Sequence, residues 1–195
     1  MSVEYRPAAP RPTATKPPVF LDRDGTLIVE KNYLRDPDQV QLEDTVIEGL
    51  TMLQAHGHPL IVVSNQSGIH RGLMTEADAH AVNDRVDSVL REQGIEILGW
   101  YICPHGPDSS CACRKPSPGM ALQASREWGL NLAGCFVVGD KRVDVELANA
   151  IGGRGILLTT GHGRDHAPWA RASARPVFGE FRDAARFIVE QGRSP

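Results

Sequence analysis

Residues 19–27 read VFLDRDGTL, and two carboxylates one residue apart, Asp22 and Asp24, stand where a short apolar run ends. Carboxylates held this close repel each other, so a fold gains from them only where a cation or a reaction uses the pair. The competing reading is an ordinary solvated Asp-Gly turn. Further polar groups stand at comparable places: Ser64 after PLIVV, Lys115 in RKPSPG, and Asp140 with Asp144 in VVGDKRVD. Strand-end carboxylates, a hydroxyl and an ammonium form a set suited to phosphoryl transfer. Asp22, Asp140 and a main-chain carbonyl could hold Mg²⁺, which takes oxygen ligands and keeps several waters. The metal and Lys115 would offset repulsion between a phosphate dianion and the aspartates. Ser64 could hydrogen-bond a phosphoryl oxygen. Asp144 reads either as a group orienting metal-bound water or as an acid favoured at a helix N-terminus. Lys141 reads either as a substrate-phosphate contact or as a surface lysine.

A second cluster lies in CPHGPDSSCAC, residues 103–113. Cys103, His105, Cys111 and Cys113 offer three thiolates and an imidazole, a closed tetrahedral set for Zn²⁺. A closed set leaves no position for a substrate water, which makes the expected role structural. The alternatives are a reduced, metal-free loop or a disulfide. Residues 104–112 hold too few apolar side chains to fix the loop by packing, and its end runs directly into Arg114 and Lys115. Cys135, in the apolar run CFVVG, reads as a small core residue.

These residues need elements to hold them. The segments VFL (19–21), PLIVVS (59–64), GWYIC (99–103), CFVVG (135–139) and GILLT (155–159) are almost wholly apolar, as strands covered on both faces are. Helices are expected near 44–56, with Val46, Ile47, Leu50 and Leu53 on one face, and near 75–93, with Thr75 and Asp78 as a capping box. Further helices are expected near 118–128 and 144–151, then a last short strand and a closing helix within PVFGEFRDAARFIVEQ. Repeated β-then-α units predict a three-layer α/β/α, Rossmann-like fold on a parallel central sheet. Ligands of such sheets bind beyond the carboxyl ends of the strands, and Asp22, Ser64, Cys103 and Asp140 all fall there. The aromatics Trp100, Tyr101, Phe136 and Phe178 fit core strands. His56, His58, His162 and His166 fall near loops, with solvated or capping roles expected, and His70 is expected at the surface.

Composition narrows the classes. The chain has 195 residues, 41% hydrophobic, with a formal net charge of −3, enough for one domain with a real core. No basic excess points to nucleic acid, no apolar run approaches the roughly 20 residues of a membrane span, and no signal-peptide pattern opens the chain. A cytoplasmic protein and a monomer are the expectations. Residues 1–18 read as a flexible, proline-rich tail and 19–195 as a single domain. Only about twenty residues separate Gly25 from the first helix, and the slot after the third strand holds just the Cys/His loop. Neither has room for a folded cap, so the site should be roofed by loops and open to an extended, doubly charged small molecule. Arg114 and Lys141 are candidates to recognise its remaining phosphate.

The ordered set of motifs over 19–159, opening with DxDG[TS] after an apolar strand, resembles the haloacid dehalogenase (HAD) superfamily of phosphohydrolases. That resemblance implies Asp22 as the nucleophile that takes the phosphoryl group and Asp24 as the general acid and base. It also implies the Asp24 carbonyl and Asp140 as Mg²⁺ ligands. With the zinc loop, NQSGIHRG (65–72), CRKPSPGM (113–120) and GDKRVD (139–144), the chain further resembles the heptose 1,7-bisphosphate 7-phosphatase family, whose relatives include histidinol-phosphate phosphatases. This implies a sugar site lined by Glu30, Lys31, Asn32 and Tyr33 and by Ser64, Asn65, Gln66 and Ser67. Arg114 would lie at the substrate's distal end, and Ser64 with Lys115 would grip the transferring group. The implied role is supply of activated heptose for bacterial lipopolysaccharide. Histidinol-phosphate hydrolysis is the rival enzyme reading, and a zinc-stabilised module without catalysis is the rival of another class.

Overall fold

Six of the apolar segments pair in parallel at the centre of the molecule. The structure, a computed structural model, describes residues 16–191 and, for the main chain alone, 3–5. The strands are β1 (Val3–Tyr5), β2 (Val19–Leu21), β3 (Leu60–Asn65), β4 (Gly99–Cys103), β5 (Phe136–Gly139), β6 (Arg154–Leu158) and β7 (Val177–Phe178), in the order β1-β4-β3-β2-β5-β6-β7. β2 to β7 are parallel, and β1 adds an antiparallel edge against β4. The proline-rich tail predicted over 1–18 thus includes three residues of sheet edge, and most of its remainder lies outside the described residues. No helix among the described residues is long and apolar enough to cross a membrane.

Strand alternation divides the core in two. Val19, Leu21, Leu60, Val62, Trp100, Phe136, Val138, Ile156 and Leu158 face one layer, built from α1 (Val46–Ala55), α3 (Glu76–Glu92) and α7 (Phe181–Gln191). Phe20, Ile61, Val63, Tyr101 and Val137 face α4 (Gly119–Trp128) and α5 (Arg142–Ala150), and Leu157 meets α6 (Gly163–Ala172) on that same side. The α/β/α layering is the one predicted, and the shared elements agree with the predicted bounds to within about two residues. The α3 capping box is present: Thr75 Oγ1 accepts from the Asp78 amide at 3.1 Å, and Asp78 Oδ2 from the Thr75 amide at 2.7 Å. Between β2 and α1 lie only a short 3₁₀ turn (Pro37–Gln39) and isolated bridges, so no folded cap is inserted in this stretch.

Two helices were not predicted. One is the single turn α2 (Ser67–His70). The other is α6, whose sequence GRDHAPWARA carries Pro168 inside. Proline removes an internal hydrogen bond and argues against a helix, but Ala167 and Ala170 still bury against Val145 and Leu157. His58 departs from its expected solvated or capping role: it is buried, with Nδ1 2.8 Å from the Pro17 carbonyl oxygen.

From β2 the chain runs outward through β3 to β4, then crosses to β5 on the other side of β2. The crevice at such a reversal is where ligands of open α/β sheets bind. β2 delivers Asp22 and Asp24 to it.

Candidate active site

The Asp22 amide donates to the Val138 carbonyl at 2.9 Å, extending the β2–β5 pairing one residue and fixing where its carboxylate emerges. The chain then turns through Gly25 at φ +78°. A Cβ there would stand 2.4 Å from Asp140 Oδ2, as would one on Gly161. Only glycine lets these two loops close on Asp140.

Lys115 enters from the segment before α4 and is buried. Its Nζ donates to the Val63 carbonyl at 2.6 Å and to Asp22 Oδ1 at 2.8 Å, and lies 2.7 Å from Asp144 Oδ1. Two hydrogen bonds and the close charge of Asp144 compensate burial of the ammonium. Burial opposes its charge, but Asp144 and Asp22 outweigh burial and hold Lys115 above the usual lysine range. Burial likewise opposes ionisation of Asp22, yet Lys115 and Lys141 keep its carboxyl below the ordinary value. Asn65 pins this lysine's main chain, accepting from the Lys115 amide at 3.0 Å and donating to its carbonyl at 3.1 Å.

Of the two roles weighed for Asp144, the geometry shows the helix N-terminal one, and a contact with Lys115 besides. Its Oδ2 accepts from the Lys141 amide at the start of α5, while Oδ1 pairs with Lys115. Lys141 is no ordinary surface lysine: Nζ lies 3.4 Å from Glu30 Oε2 and 3.7 Å from Asp140 Oδ1.

Asp22, Asp140 and Asp144 bring carboxylate oxygens within 4.8 Å of one another, all buried. Burial and the Asp22 charge push the Asp140 carboxyl up to about 8, against Lys141. Asp140 Oδ2 accepts from the His162 amide at 2.8 Å, but Oδ1 is buried with no hydrogen-bond partner among the described residues. An orphaned hard oxygen in an acidic cluster fits an oxygen-loving divalent cation.

A cavity of about 340 Å³ opens over these groups. Asp22, Asp24, Glu30, Asn32, Tyr33, Ser64, Asn65, Gln66, Ser67, Arg114, Lys115 and Lys141 line it, as predicted for a common site. Of the predicted sugar-site residues, Lys31 is the exception. It is exposed, and its Nζ donates to the Gln39 carbonyl at 2.7 Å, which holds it away from the cavity. Gln66 serves two neighbours, donating to Asp24 Oδ2 at 2.7 Å and to Ser64 Oγ at 2.9 Å. The wall also holds Arg142, His162 and His166, which sequence reasoning missed. The available signal is the position of TTGHG just beyond a strand end; of the solvated or capping roles expected for these histidines, His162 takes the N-cap position of α6 without a side-chain capping bond, and both face the cavity.

At the rim, Cys103, His105, Cys111 and Cys113 form a compact group. Their sulfurs lie 3.2–3.7 Å apart, and His105 Nδ1 is 3.5 Å from Cys103 and 3.3 Å from Cys113. A tetrahedron with Zn–S bonds of about 2.3 Å separates sulfurs by about 3.8 Å, so this donor set fits zinc. The loop reaches the site through Arg114, whose Nη1 donates to the His105 carbonyl at 2.9 Å.

The chain is similar to phosphatases of known type. A profile described as HAD-hydrolase-like matches residues 112–184. The D-glycero-beta-D-manno-heptose-1,7-bisphosphate 7-phosphatase of Photorhabdus laumondii is 38% identical over 181 residues, spanning 89% of each chain. That of Yersinia pestis is 41% identical over 157 residues, 76% of this chain and 84% of its own. The crystal structure of D,D-heptose 1,7-bisphosphate phosphatase from B. bronchiseptica, complexed with magnesium and phosphate, superposes with a TM-score of 0.82 at 29% identity, covering 90% of this chain and 99% of that one.

Proposed function

The chain belongs to the D-glycero-beta-D-manno-heptose-1,7-bisphosphate 7-phosphatase family of HAD-like hydrolases, and we propose that it hydrolyses the 7-phosphate of a heptose 1,7-bisphosphate through Asp22 and Asp24. The observation that carries the reading is the pairing of buried Asp22 with buried Lys115 beside Asp140, under a cavity whose wall also bears Arg114 and Lys141. Lys115 fixes the Asp22 carboxylate, which attacks phosphorus as the bond to the sugar oxygen breaks. Asp24 gives that oxygen its proton. Asp22 then carries the phosphoryl group as an acyl phosphate. Asp24 next takes a proton from water, which attacks phosphorus, releases inorganic phosphate and restores Asp22. Two easier displacements replace one difficult one. Ser64 Oγ accepts from Gln66, so its own proton is free for a phosphoryl oxygen. Arg114 and Lys141 are suited to hold the phosphate that stays on the sugar.

Asp22, Asp140 and the Asp24 main-chain carbonyl would hold Mg²⁺, which when bound offsets the anionic charge gathered at the reacting phosphoryl group. Its binding should depend on pH. The Asp140 carboxyl, raised to about 8 against an ordinary 3.8, stabilises the metal-free fold when protonated, and that contribution is lost as pH rises through about 8. Mg²⁺ needs the ionised form. The rise in Tm on adding Mg²⁺ should therefore be larger at pH 8.5 than at pH 5.5. An equal rise at both values would remove Asp140 from the cation site.

Zn²⁺ is the proposed occupant of the Cys/His loop, tying it down where apolar packing cannot. Cys111→Ser should lower zinc content, measured by elemental analysis, and reduce kcat/KM indirectly through Arg114 and Lys115. Full activity after verified zinc loss would show the loop to be rigid without metal.

The functional test is kcat/KM for heptose 1,7-bisphosphate, as both anomers, beside histidinol phosphate, with phosphorus NMR identifying the phosphate that leaves. A strong preference for the bisphosphate with loss of the 7-phosphate is expected. A preference for histidinol phosphate would replace the substrate while leaving the Asp22 and Asp24 chemistry in place. Inertness toward every phosphomonoester would overturn both.

A further inference from the structure

Arg23 stands between the two site aspartates, yet it is fully buried and points away from the cavity wall, to which it contributes nothing. Its guanidinium grips Asp24 through two nitrogens: Nε donates to Oδ2 at 3.2 Å and Nη2 to Oδ1 at 3.1 Å, with Nη2 also 3.1 Å from Oδ2. Behind this grip, Nη1 donates to Asn83 Oδ1 at 2.7 Å and to the Ala79 carbonyl at 3.4 Å, both on α3. Asn83 is itself fully buried. A rigid helix on one face of the sheet is thereby linked through one arginine to the carboxylate that must meet the leaving group.

We propose that Arg23, anchored by Asn83, is the positioning residue for the Asp24 carboxylate and selects the oxygen that carries its proton. This rests on the reading of Asp24 as proton donor. Oδ2 accepts from Arg23 and from Gln66 at 2.7 Å, which uses both of its lone pairs. Among the described residues Oδ1 accepts from Arg23 alone and keeps one lone pair. The proton given to the sugar oxygen therefore travels on Oδ1, and the plane of the guanidinium sets where Oδ1 points. Planar, paired contact of this kind constrains orientation in a way a single ammonium contact does not.

The expected consequence depends on the leaving group. A sugar alkoxide needs the proton, whereas p-nitrophenolate departs without it, and kcat/KM reports the first transfer to Asp22 for both. Arg23→Lys and Asn83→Leu should lose about 10²-fold in kcat/KM on heptose 1,7-bisphosphate and keep most of the rate on p-nitrophenyl phosphate. Asn83→Asp keeps the acceptor for Nη1 and sacrifices no bond, since Asn83 Nδ2 makes none among the described residues, so it should restore most of the loss. A merely structural role would lower both esters together. Asp24→Asn is the control. If it is selective for the sugar ester while the Arg23 and Asn83 variants depress both esters equally or neither, the positioning role is refuted and Asp24 keeps its own. If Asp24→Asn itself shows no selectivity, the proton-donor reading fails and the proposal falls with it. Should Arg23→Lys fail to fold, the Asn83 pair decides.

Discussion

Exchanging Asp22 for asparagine is expected to leave a folded protein whose kcat/KM for the bisphosphate falls by about 10⁴-fold or more. The change is isosteric, and an amide oxygen can still accept from Lys115, now 2.8 Å from Asp22 Oδ1. What disappears is the nucleophile: an amide does not form the acyl phosphate. Stability should fall too, but far less than the rate. Lys115 and Lys141 hold the Asp22 carboxyl below its ordinary value, so its charge stabilises the fold at neutral pH; relief of repulsion with Asp140 and Asp144 offsets part of the loss, and Tm should drop only modestly. A loss of only about tenfold in rate would contradict the assignment.

Lys115→Met should damage both heavily. The methionine fills similar volume but leaves Asp22, Asp144 and the Val63 carbonyl without their shared donor. Breaking a buried ion pair by removing one partner costs about 3–5 kcal/mol, which for a chain of this size is a fall in Tm of about 6–20 °C. Adding Asp144→Asn should recover part of that loss, because it deletes one of the stranded charges. The coupling between the two sites, read from a double-mutant cycle, should therefore be large, while activity should stay low in both variants. Additive stabilities would show that Lys115 and Asp144 act independently despite their 2.7 Å separation.

Much of this arrangement was visible in the sequence because it depends on position along strands. Val19–Leu21, Leu60–Asn65 and Phe136–Gly139 are apolar on both faces, so the residues that end them had to lie on one rim, and Asp22, Ser64 and Asp140 do. The Cys/His group was legible for a related reason: Cys103 closes a strand and its partners follow within one short loop. What was hidden depends on side chains meeting from distant elements. Arg23 looks like a spacer between two aspartates until α3, some sixty residues away, supplies Asn83. Asn65 and Gln66 read as sugar contacts, yet the first holds the Lys115 main chain and the second holds Asp24 and Ser64. Lys31 and Lys141 were indistinguishable by type. The left-handed backbone at Asn32 and Tyr33 follows Lys31, whose ammonium is drawn to the Gln39 carbonyl, whereas Lys141 opens α5 beside Asp140 and Glu30.

The most direct measurement of the central claim is to quench the wild-type enzyme during its first turnover of heptose 1,7-bisphosphate and map the protein by mass spectrometry. One added phosphoryl group on Asp22, appearing before inorganic phosphate and decaying no slower than steady-state turnover, is the predicted result. Turnover with Asp22 unmodified throughout, or with the phosphoryl group on another residue, would contradict it.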